Sequence, residues 1–116
     1  MDQDRPAIAV TLNNGERWDA NPETTQGVMK MAKMVESFPD DASPVDYHKL
    51  KIGLEEEIGT ILRNCTMKGE AHDQLHNYLV PLREMFSDLA SDDATRSKIA
   101  VDKLRYHLRS YGDYFR

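Results

Sequence analysis

Residues 44–65 read PVDYHKLKIGLEEEIGTILRNC, and their spacing decides the fold. Tyr47, Leu50, Leu54, Ile58, Ile61 and Cys65 recur every three or four positions, so a helix gathers them into one apolar stripe. The start is marked by Ser43 as a cap and Pro44 at the first helical position, where its missing N–H costs nothing. Asp46 then complements the positive helix N-terminus. On this reading Cys65 lies on the buried side of the helix, near its C-terminal end.

The same signals recur on both sides. Upstream, Asn21-Pro22 repeats the cap and proline, Val28, Met31, Val35 and Phe38 keep helical spacing with Met34 beside them, and Pro39 stops the run. A first helix is expected over residues 22–37. Downstream, Lys68-Gly69-Glu70 reads either as a break or as an irregularity in one long helix. A third helix is expected over residues 70–89, with His72, Leu75, Leu79, Leu82, Phe86 and Leu89 on its stripe and His76 just beside it. Pro81 falls inside it and predicts a kink, since the periodicity continues beyond. Ser91-Asp92-Asp93 supplies caps for a fourth helix, whose stripe holds Ala100, Leu104, Leu108 and Tyr111 before Gly112 loosens the end. Four amphipathic segments with short loops predict an all-α, antiparallel up-down-up-down four-helix bundle.

The first twenty residues differ in character. Residues 7–12 read AIAVTL, a β-branched run ending at Asn13-Asn14-Gly15, a strong turn signal, and Glu16-Arg17-Trp18 returns as a short second strand. Such a ribbon is marginal alone, so it is expected to lie on the helical body with Trp18 as its anchor.

Composition sets the outer bounds. A chain of 116 residues suits one domain, here an extended segment over 1–20 and a bundle over 22–116. Its 40% hydrophobic and 30% charged residues suit a soluble globular protein. Twenty acidic against fifteen basic residues leave a net charge of -5, which argues against nucleic acid as a partner. No run resembles a membrane span or a signal peptide, so an exported protein would already have lost its signal. The single cysteine fits the cytosol equally well. Oligomeric state is left open.

Chemistry concentrates in residues 65–76, CTMKGEAHDQLH. His72 and His76 are one helical turn apart, so both imidazoles project from one face. Cys65 and Met67 are expected across the Lys68-Gly69-Glu70 break, at the same end of the bundle. One thiolate, one thioether and two imidazoles form a soft donor set that suits copper; zinc, the alternative, would take the cysteine and histidines without the methionine. His107 is a further candidate ligand, because the end of the fourth helix should lie beside the start of the third. Asp73 or Tyr111 could orient a ligand from outside. His48 should sit at the opposite end and serves as a control. Noncovalent haem between Met and His is a remoter fit.

The competing account makes Cys65 a small buried hydrophobe and the chain a metal-free interaction module whose acidic surface meets a protein partner. Met29, Met31 and Met34 read as a core filler with solvent-side neighbours. An enzyme is not expected: no phosphate loop, dinucleotide fingerprint, metalloprotease helix or paired CxxC site is present, and adjacent His72 and Asp73 point in different directions. Metal storage, delivery or electron transfer each fits the donor set.

Two resemblances bear on this. Residues 12–18, LNNGERW, with residues 65–76 and then Leu79-Val80-Pro81-Leu82, resemble a group of small, mostly uncharacterised bacterial proteins often predicted to be exported. That likeness implies a compact helical domain outside the cytoplasm that keeps the Cys, Met and two His together as candidate ligands. Residues 65–71, CTMKGEA, are similar to the histidine-phosphotransfer pattern His-x-Leu-Lys-Gly, also found in four-helix bundles. Cys65 stands where that family carries its phosphorylated histidine, which removes the central chemical step and leaves at most a docking role.

Overall fold

The computed structural model describes residues 8–116; residues 1–7, including the start of the expected first strand, lie outside it. The described chain is all-helical, with α1 (Pro22–Glu36), α2 (Pro44–Asn64), α3 (Gly69–Leu89) and α4 (Ala94–Arg109), followed by the single turn α5 (Tyr111–Tyr114). The four long helices pack as one globule in which α1 touches α2 and α4, and α3 touches the same two.

Local chemistry explains the boundaries. Ser43 and Asp46 form a reciprocal capping box, each side chain accepting from the other's backbone N–H. Asn21 occupies the cap of α1, but its side chain reaches elsewhere: Nδ2 donates to the Asn64 carbonyl at the far end of α2, 3.1 Å away. Between α2 and α3 the break is real. Residues 65–68 leave the helix, and Gly69 opens α3 with φ +63, a left-handed value that costs glycine little. Through Pro81, by contrast, α3 continues without interruption.

One contiguous core runs through the globule. Met31, Leu54, Ile61, Leu75, Tyr78, Leu82 and Leu104 are fully buried, and each buried aliphatic side chain contributes roughly 1.5–3 kcal/mol. Of the three clustered methionines only Met31 is in the core; Met29 is exposed.

The expected N-terminal ribbon requires correction. Among the described residues there is no strand. Asn13 and Glu16 close a tight reciprocal turn over Asn14 and Gly15, both at positive φ, but the pairing stops there. Two competitors explain why. Trp18 spends its backbone on the C-terminus, donating to the Tyr114 carbonyl and accepting from Arg116 N. Its indole Nε1 meanwhile donates to the Thr11 carbonyl at 2.6 Å, which a ribbon would have used for its ladder. The role assigned to Trp18 as a buried anchor holds. Helix four also ends earlier than its stripe implied: Arg109 is its last residue, and Tyr111 belongs to the separate turn α5.

Candidate metal centre

The four candidate ligands occupy the α2–α3 junction. Cys65 is the residue that caps α2, with extended backbone, and not a member of its helical stripe. This corrects the expectation that it lies on the buried face of the helix: it is half-buried. Leaving the helix turns its thiol across the connection towards α3, where Sγ lies 3.9 Å from His72 Nδ1. His72 is half-buried in the first turn of α3. The rings of His72 and His76 stand 4.4 Å apart, tilted by 59°. His76 is exposed, and Met67 is half-buried against the edge of the core.

These contacts form a chain from Cys65 to His72 to His76, not a closed shell. Among the described residues no three His, Cys, Asp or Glu side chains lie close enough together to hold an ion. The first pair is nonetheless well matched to one. With metal–sulfur and metal–nitrogen bonds of about 2.3 and 2.0 Å, one ion spans the 3.9 Å gap at an angle of about 130°.

His107 takes a different part. It is fully buried in α4, with its ring 4.5 Å from that of Tyr78. Its Nε2 lies 2.7 Å from the Tyr78 carbonyl, which can only accept, so Nε2 carries the proton. In the neutral ring Nδ1 is then a bare lone pair, and it is buried with no hydrogen-bond partner. Burial pushes the His107 pKa down, opposed by the bond to Tyr78. Tyr78 in turn donates its hydroxyl to the His107 carbonyl at 2.6 Å.

Tyr111 approaches the junction from α5. Its hydroxyl pairs with Thr25 at 2.9 Å, and burial raises its pKa against the lowering effect of that bond. Asp73 is exposed, as is the control His48 near the start of α2.

Tyr78 is not among the candidate residues named from the sequence. The signal was there: Tyr78 lies three residues after Leu75 and four before Leu82, on the same stripe. No residue pattern announced Arg105, which donates to the Val35 and Phe38 carbonyls and closes the end of α1.

Compared with known proteins, the chain matches no family model, no curated protein and no solved structure.

Proposed function

We propose that this chain is a soft transition-metal-binding protein of the cell envelope, taking copper at the α2–α3 junction in metal storage, delivery or electron transfer. The observation that carries this reading is the 3.9 Å separation of Cys65 Sγ and His72 Nδ1, two unlike soft or borderline donors, one from the C-cap of α2 and one from the first turn of α3. In this reading Cys65 and His72 make the primary pair, and Met67 and His76 complete the shell by side-chain rotation. Zinc is the alternative ion. The reading also takes up the resemblance to exported bacterial proteins and the antiparallel up-down-up-down order. For its first two helices that order is supported by contacts in which Gly27 faces Ile61, Lys30 pairs with Glu57, and Met34 lies over Gly53.

A second reading, a metal-free helical interaction module, is favoured by the lack of three convergent donors among the described residues. In it the Cys65–His72 contact is a weak thiol–imidazole hydrogen bond.

Anaerobic titration with Cu(I) and Cu(II) in the presence of a competing chelator separates the two. Stoichiometric copper retained by wild type and lost in Cys65→Ser supports the metal reading; absence of retention in wild type sinks it. Intense visible absorption with Cu(II) reports a copper–thiolate bond and assigns the protein to redox use.

A further inference from the structure

The outer face of α2 mixes exposed apolar side chains with charges of both signs. Ile52, Glu55, Glu56, Gly59, Leu62 and Arg63 recur at helical spacing on the side turned away from α1. Ile52 is 55% exposed and Leu62 39%, and Val80 of the adjoining α3 is 50% exposed. A shallow groove of about 460 Å³ lies on this face, and another of about 540 Å³ separates it from α3; both are lined by Glu55 and Gly59.

Charge along the ridge is polarised. Glu55 and Glu56 lie in its first half and Arg63 at its end. Arg63 folds back, its Nη2 donating to Thr60 Oγ1 at 3.2 Å, and its guanidinium lies across the bare Cα of Gly59. A side chain at 59 would meet that guanidinium at 3.3 Å, so the glycine leaves room for it.

We propose that this face forms a two-fold symmetric dimer in which α2 crosses α2 of a second copy in antiparallel sense near residue 57. That crossing point sets Ile52 of one copy beside Leu62 of the other, since the two positions are equidistant from it. The same point brings Glu55 and Glu56 to the level of the partner's folded-back guanidinium over Gly59. Both pairings occur twice, as an isologous interface requires. A parallel crossing would instead set acid on acid, at a cost. A helix of this length is about 31 Å long, so the footprint falls at the small end of stable interfaces. The dimer is therefore weak and concentration-dependent. It does not depend on metal binding.

Sedimentation equilibrium of the full chain from roughly 1 μM to 1 mM, the range in which small interfaces associate, tests this. Wild type is expected to self-associate, less at high salt. Arg63→Glu makes the ridge wholly acidic, and the double variant Glu55→Lys, Glu56→Lys makes it wholly basic. Each alone should associate about tenfold more weakly than wild type, while an equimolar mixture of the two should form a heterodimer. Wild type that stays monomeric to the highest concentration overturns the proposal. So does unchanged association of either variant alone, or a mixture that fails to pair.

Discussion

Tyr78 and His107 hold each other by two reciprocal hydrogen bonds, the tyrosine hydroxyl to the histidine carbonyl and the histidine Nε2–H to the tyrosine carbonyl. Each side chain satisfies the other's backbone, so α3 and α4 are joined at one buried point. The bond lies three residues before Pro81, where α3 lacks one of its own N–H donors. The exchange uses every polar atom of the two side chains except His107 Nδ1.

That exception makes stability pH-dependent. The folded-state pKa of His107 lies below its ordinary value, so the unfolded chain binds this proton first. The contribution is fully present above about pH 6.5, the unfolded value, and is lost as pH falls from there through the lower folded value. Urea unfolding between pH 8 and pH 5 should show stability falling by up to about 1.4 kcal/mol per pH unit in part of that window. His107→Gln should flatten this step. The carboxylates held below their usual range, Glu36 by Arg109 and Asp46 by the Ser43 N–H, lose their contribution only at more acid pH.

At the α2–α3 junction, the ligands should not contribute equally. His72→Gln should weaken copper binding by more than roughly 10–100-fold, the range for loss of an outer-shell partner, and by more than His76→Gln. His48→Ala and His107→Gln should leave affinity unchanged, because His48 is remote and His107 Nε2 is committed to Tyr78. Chelator competition on each purified variant ranks them. Equal losses at His72 and His107 would contradict the assignment.

Gly27 lets the side chain of Ile61 in α2 press against the backbone of α1. A β-carbon there would clash with Ile61 Cγ1 and come within 2.8 Å of its Cδ1. Replacing a helical glycine by alanine ordinarily gains up to about 1 kcal/mol. Gly27→Ala should instead lose about 1–3 kcal/mol in thermal or urea melts, because Ile61 is fully buried and cannot move aside. Ile61→Val in the same chain should recover part of the loss.

Arg105 closes the end of α1 by donating to the Val35 and Phe38 carbonyls at 2.8 and 2.9 Å. Its guanidinium fork, rather than its charge, makes this geometry. Both Arg105→Ala and Arg105→Lys should therefore lose stability, by about 1.5–3 kcal/mol for the alanine, measured by chemical unfolding. Full retention in the lysine variant would show that charge alone suffices.

Trp18 ties the N-terminal segment to the C-terminus. It is the single tryptophan of the chain and is buried, so native emission should be blue-shifted. Trp18→Phe keeps a smaller aromatic ring but drops the bond to Thr11, whereas Trp18→Ala should cost about 3–5 kcal/mol. Amide exchange should rise at Arg116, whose N–H is held by the Trp18 carbonyl.

What the sequence determined by itself was local. Hydrophobic spacing, the Ser43-Pro44 start and the persistence of α3 past Pro81 follow from backbone chemistry within a few residues, and each is found in the four-helix globule; at Gly69 the sequence left a break and an irregularity equally open, and the structure has the break. Tertiary structure decided everything that depends on which chain segment satisfies a given polar group. Trp18 bonds the C-terminus and not a ribbon because the Tyr114 and Arg116 backbone is within reach. Cys65 leaves its helix and turns towards His72, and His107, legible as a candidate ligand, gives its Nε2–H to a carbonyl twenty-nine residues away. Periodicity records which face of a helix is apolar, but it carries no information about the partner on the opposite side of the core. Donor types were therefore readable from the sequence, while their distances were not.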